Sequence, residues 1–175
     1  MRFRIQAKDD DNIQRYPTSD LKIARVFSDK LKKELQDFLS SVVVFGSSAR
    51  KTQHKNSDID VLIIGNDLDF KLSQPFLETY RLIIERTIMN TSGKLHVTSM
   101  TMSSFWEYAR AGDPIVTNIL RDGVTLHDNG SFRPLQQLLR QGRVRPTEES
   151  VWRYFARAPK TLNNSRWHIM QGTLD

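Results

Sequence analysis

The feature that most constrains this chain is the stretch VVVFGSSARKTQHKNSDIDVLII, Val42 to Ile64. Val42–Phe45 is a β-branched and aromatic run of strand length, and Ile59–Ile64 is a second. Gly46 follows the first run at once, and Ser47-Ser48-Ala49-Arg50 reads as the opening of a short helix. A polar loop over 51–57 then leads to Asp58 and Asp60, one residue apart at the start of the second run. Residues two apart in a strand project from one face, so both carboxylates point the same way while Ile59 and Val61 pack on the other. Two carboxylates this close repel each other unless a cation sits between them.

The residue types agree on one chemistry. Glycine after a strand permits a sharp turn and lets a ligand approach with no Cβ in the way. A following helix N-terminus offers free N–H groups to phosphate oxygens. Ser47 and Ser48 add hydroxyl donors, and Arg50 adds a planar cation. Hard oxygen ligands select Mg²⁺ or Mn²⁺, and Mg²⁺ is usually held by one or two carboxylates plus substrate phosphates. If the two strands are neighbours, phosphates on the Gly46 turn meet metal on Asp58 and Asp60. That arrangement suits an in-line displacement in which a hydroxyl attacks and pyrophosphate leaves.

The flanking sequence predicts a helix from Thr18-Ser19 to near Leu39, with Ala24, Phe27, Leu31, Leu35 and Phe38 on one face. Ser73 and Pro75 open a helix through about Met89. Leu95–Thr101 reads as a third strand, followed by a helix from about Ser103 to Arg110 in which Trp106 and Tyr108 are expected in the core. Asp113-Pro114 caps a short helix through Leu120, Val124–Leu126 is a short strand, and Phe132–Leu139 is helical. The expected fold class is α/β (α+β): a small mixed β-sheet with helices packed on one side of it, plus a C-terminal helical extension.

Composition enters chiefly through what it removes. With no cysteine, disulfides, thiolate metal sites and cysteine nucleophiles are excluded. No apolar segment approaches a membrane span and the first residues lack the apolar core of a signal peptide, so the expected location is cytoplasmic, with no membrane partner. The net charge of +6 is unevenly placed. Residues 1–130 carry 18 Lys/Arg against 17 Asp/Glu, whereas 131–175 carry 8 against 3. The basic tail could meet RNA or an acidic partner, and a solvated helix face accounts for the same charge. There is no Walker phosphate loop, Rossmann glycine pattern or His-Glu-x-x-His.

Gly46-Ser47 followed after ten residues by Asp58-Ile59-Asp60 resembles the signature of the DNA polymerase β-like nucleotidyltransferase superfamily. With Ala49-Arg50 and NSDIDVLII it resembles the minimal prokaryotic branch, the MNT or antitoxin-type nucleotidyltransferases. The resemblance covers about Thr18 to Leu126 and implies a nucleotidyltransferase domain over 1–130, with a basic helical extension over 131–175. It implies transfer of a nucleoside monophosphate, commonly AMP from ATP, to a hydroxyl acceptor. It also implies that Gly46 and Ser47, with Ser48 and Arg50 beside them, hold the triphosphate, and that Asp58 and Asp60 bind Mg²⁺.

The chain departs from the superfamily at one point. A third carboxylate is usual on a later strand, and the matching strand KLHVTSMT, Lys94 to Thr101, has none. His96 and Thr98 are the nearest polar residues by alternation, and a neutral imidazole serves as base or as metal ligand. An ordinary polar residue on a half-exposed strand reads equally well there. The alternative function is therefore a nucleotide-binding or partner-binding, antitoxin-like module with weakened catalysis.

The segment RPTEESVWRYFARAPKTLNNSRWHIM resembles the opening helix of a HEPN domain, so a HEPN-type protein partner is implied. Its aromatic face, including Trp152, Phe155 and Trp167, could instead pack on its own domain or on a second copy of the chain, giving a homo-oligomer.

Overall fold

The computed structural model describes residues 12–46, 58–145, 147–149, 152 and 155–156. After a 3₁₀ turn at Ile13–Arg15, the elements are α1 (Thr18–Leu35), a second 3₁₀ turn (Gln36–Phe38), β1 (Leu39–Phe45), β2 (Ile59–Gly65) and α2 (Gln74–Met89). They continue with β3 (Leu95–Thr101), α3 (Met102–Ala111), α4 (Pro114–Asp122), β4 (Val124–Asp128) and α5 (Phe132–Arg140). The four strands form one mixed sheet in the order β3-β2-β1-β4. β1 runs antiparallel to β2 and β4, and β2 runs parallel to β3.

Helices cover both faces of the sheet, not one side as the sequence led us to expect. On one face, α1 and α2 pack Leu21, Ala24, Phe27, Leu31 and Ile84 against Val42, Val44, Ile59, Val61 and Ile63. On the other, α3, α4 and α5 pack Phe105, Val116, Ile119, Leu120, Phe132 and Leu135 against Val43, Leu62 and Ile64. The physical reason lies in the central strands. Val42-Val43-Val44 and Val61-Leu62-Ile63-Ile64 are apolar without alternation, as strands buried on both sides must be.

Local chemistry sets the element ends. Ser73 Oγ accepts the Phe76 N–H and Pro75 fills the first turn of α2. Asp113 accepts the N–H groups of Ile115 and Val116 at the start of α4, at 2.9 and 3.2 Å. α1 stops at Leu35 instead of reaching Leu39, because the 3₁₀ turn places Phe38 under Phe76 and Tyr80 and commits Leu39 to the sheet. Trp106 and Tyr108 lie outside the core, 46% and 47% exposed. The inward stripe of α3 is Met102, Phe105 and Ala109, and residues 106 and 108 fall to either side of it.

Packing runs across the domain boundary expected at residue 130. α5 buries Phe132 completely beside Phe105, and Gln136 Nε2 donates to the carbonyls of Leu120 and Gly123, both at 3.1 Å. The Asp128 carboxylate caps this helix by accepting N–H groups of Ser131, Phe132 and Arg133. At the other end of the chain, Asn12 Nδ2 donates to the carbonyls of Arg121 and Gly123. Tyr16 Oη donates to Asp122 O at 3.1 Å. The turn between α4 and β4 is thus clamped by buried polar groups from both ends of the body. Trp152 and Phe155 are exposed and pair edge to face, at 5.8 Å between ring centroids. Trp167 lies outside the described residues. No helix among the described residues is long and apolar enough to cross a membrane.

Candidate active site

The antiparallel register places Phe45 opposite Asp60, so the chain leaves β1 through Gly46 where β2 presents its aspartate. Gly46 has φ +95°, a conformation that side chains rarely adopt. A Cβ there would collide with Asp60 Oδ2 and stand 2.9 Å from its Cγ. Glycine is therefore needed twice, for the turn and for the approach of the carboxylate. Ser47, Ser48 and Arg50, expected as phosphate contacts, lie outside the described residues.

The parallel register aligns Asp60 with His96 on β3. His96 Nδ1 lies 3.0 Å from Asp60 Oδ1, with side-chain exposures of 69% and 25%. Asp58 is exposed, just ahead of β2, and Ile59 N–H donates to Lys94 O at 2.7 Å, which fixes the mouth of β2 against the start of β3. Asp60 belongs to the face of the sheet that α3, α4 and α5 cover, since Leu62 and Ile64 alternate with it into that core. One end of the sheet therefore carries Gly46, Asp58, Asp60 and His96 together.

No carboxylate stands on β3. Asp113 is engaged as the cap of α4, and Asp67 sits past the opposite end of β2. Burial opposes ionisation of Asp67, but hydrogen bonds from the Ser103 hydroxyl and N–H outweigh it and hold the carboxyl below its ordinary range. Asp67 thus anchors α3 and is remote from the site.

The donor set fits a hard divalent cation that arrives with its substrate. Asp58 and Asp60 supply carboxylate oxygens, and the missing side chain of Gly46 lets the Asp60 carboxylate lie against the turn. Among the described residues no cluster of three or more His, Asp or Glu makes a closed cage. Mg²⁺ bound through two carboxylates and phosphate oxygens needs no such cage.

The sequence reading passed over Asp122, which ends α4 beside Gly46 and pairs with Arg15 at 3.2 Å and Arg121 at 2.7 Å. No local pattern marks it, because Arg15 and Gly46 reach it from elements far apart in the chain.

A family model described as a nucleotidyltransferase domain matches residues 25–124. No curated protein matches the chain. Solved structures similar to it include a Sulfolobus solfataricus protein described as a nucleotidyltransferase, 18% identical over 73% of this chain and 96% of that one, with a TM-score of 0.45. A toxin-antitoxin structure with AMP-PNP is 14% identical over 86% and 98%, with a TM-score of 0.41. The toxin-antitoxin MntA-HepT structure is 13% identical over 88% and 99%, with a TM-score of 0.39.

Proposed function

The chain belongs to the nucleotidyltransferase domain family, and from that premise we propose that it transfers a nucleoside monophosphate, AMP from ATP, to a hydroxyl acceptor with Mg²⁺ as cofactor. The observation that carries this reading is Asp60, whose carboxylate stands between the Gly46 turn and His96. Bound there, the cation would neutralise the triphosphate and stabilise the departing pyrophosphate.

The chain's own residues divide the remaining work. Asp58 and Asp60 hold the cation. Gly46 lets triphosphate oxygens approach the backbone, with Ser47, Ser48 and Arg50 as further phosphate contacts. His96 Nδ1 donates to Asp60 and so leaves Nε2 to take the acceptor's proton. The acceptor oxygen bonds to the α-phosphorus as the bond to the bridging oxygen breaks, releasing pyrophosphate. The acceptor implied by the family resemblance is a tyrosine or serine hydroxyl on a partner protein, with a small molecule or an RNA end as the alternatives.

The test is transfer of α-labelled ATP by Asp58→Asn and Asp60→Asn variants. Loss of these charges should lower transfer by about 10²–10³-fold or more, with the circular dichroism unchanged. Transfer at the parent rate would sink the assignment.

One observation favours a second reading, a nucleotide-binding or partner-binding module with weakened catalysis. His96 stands beside Asp60 where an acid would complete the site, and it occupies Asp60 Oδ1. Calorimetry with ATP and Mg²⁺ followed by a turnover assay separates the two, because the module binds without transferring.

A further inference from the structure

We propose that a cleft between Gly46 and one stripe of α4 receives the base of the nucleotide, leaving the β3 side of Asp60 to the acceptor. This rests on the reading of Asp58 and Asp60 as the centre that holds the metal and triphosphate.

The cleft measures about 150 Å³ and is lined by Phe45, Gly46, Ile115, Asn118, Ile119 and Asp122. Ile115, Asn118, Ile119 and Asp122 stand at helical spacings of three, four and seven, so one stripe of α4 faces the Gly46 turn. Gly46 is shared: it lines the cleft, and it also lies against the Asp60 carboxylate. A ligand seated in the cleft therefore meets Asp60 across a residue with no side chain.

Three properties of the cleft select a heteroaromatic base. Its walls are mostly apolar, and Ile115, 55% exposed, offers a flat aliphatic surface for stacking. Asn118 is exposed at the same stripe, and its amide both donates and accepts, as a base edge requires. Arg15 and Arg121 flank Asp122 with two positive charges against its one negative charge, so the rim does not repel a polyphosphate.

Size narrows the choice further. Sites that enclose a whole drug-sized ligand run to about 300–1,000 Å³. Half the lower bound admits one ring system and leaves the phosphates outside, over Gly46 and Asp60. The two sides of Asp60 then take different reactants. The cleft is lined from the end of β1, which neighbours β2 on one side, whereas His96 stands on β3, which neighbours it on the other. In-line displacement needs the attacking and leaving oxygens on opposite sides of the phosphorus, which assigns the acceptor to the His96 side.

The experiment titrates ATP and inorganic tripolyphosphate, each with Mg²⁺, into the full chain and into an Ile115→Ala/Asn118→Ala variant. Both side chains are exposed, so the variant should fold, which circular dichroism confirms. ATP affinity should fall by about tenfold or more while tripolyphosphate affinity stays unchanged. Equal loss of both ligands, or unchanged ATP affinity, overturns the inference, as does a rise confined to the acceptor's KM. If the parent chain binds neither ligand, the metal and triphosphate reading fails first and the inference falls with it.

Discussion

The carboxylate of Asp60 rests against the Cα of Gly46, in the space where any other residue would carry its Cβ. Strand register creates this contact: Phe45 pairs with Asp60, and the glycine is the next residue of the turn. The turn after β1 and the start of β2 are thus one structural unit.

Replacing Gly46 by alanine should break that unit. The positive φ costs a non-glycine residue about 1–2 kcal/mol, and the new methyl group must push Asp60 aside. For a chain of this size the melting temperature should drop by about 2–8 °C. Mg²⁺-ATP affinity, measured by calorimetry, should fall by about tenfold or more. A variant that melts earlier yet binds as before would show that Asp60 needs no such neighbour.

His96→Ala separates a base from a bystander. The proposed proton transfer is worth about 10²–10⁴-fold, so kcat should fall on that scale while ATP affinity holds. A polar residue that merely decorates β3 would leave both quantities at their parent values. Steady-state kinetics with calorimetry decides.

Asp128 makes stability depend on acid. Burial raises its pKa, but the N–H groups of Phe132, Arg133 and Ser131 and the Ser41 hydroxyl outweigh that and lower it below the ordinary 3.8. The carboxylate therefore contributes stability that is present above the unfolded value and is lost as pH falls toward the folded one. Urea midpoints from pH 6 down to 3 should fall, and the fall should be shallower in Asp128→Asn. At neutral pH that variant should be about 1–3 kcal/mol less stable.

Phe132→Ala tests whether α5 belongs to the body. The ring is fully buried against Phe105, so its loss should cost about 3–5 kcal/mol, a large share of the 5–15 kcal/mol typical of a domain. A change below about 1 kcal/mol in chemical denaturation would mean that α5 docks only peripherally.

Much of the central layout was legible because its signals are local. The apolar run, the glycine and the Asp-x-Asp spacing lie within one stretch, and strand alternation already assigns Asp60 and Ile59 to opposite faces. The position of His96 followed from alternation along β3 once the strand was recognised. What escaped were properties that depend on two elements meeting. Helices on both faces were written in the unbroken apolarity of Val42–Val44 and Val61–Ile64, yet a short apolar run does not say how many layers cover it. Trp106 was misplaced because bulk was weighed over the 102-105-109 stripe. Asp122 and Asn118 carry no motif; only the packing of α4 brings them beside Gly46.

The clamp on the turn between α4 and β4 gives the molecule an order of assembly. β1 and β2 are close in sequence and can pair while the chain is still emerging, setting Asp60 against Gly46 early. The amide of Asn12 must wait for Arg121, 109 residues later. At about 5–20 residues per second this is a delay of roughly 5–20 s on the ribosome. Gln136, which bonds the same turn from α5, emerges later still. A nascent chain thus completes the Gly46–Asp60 end of its sheet well before it can fix the wall that would hold a base.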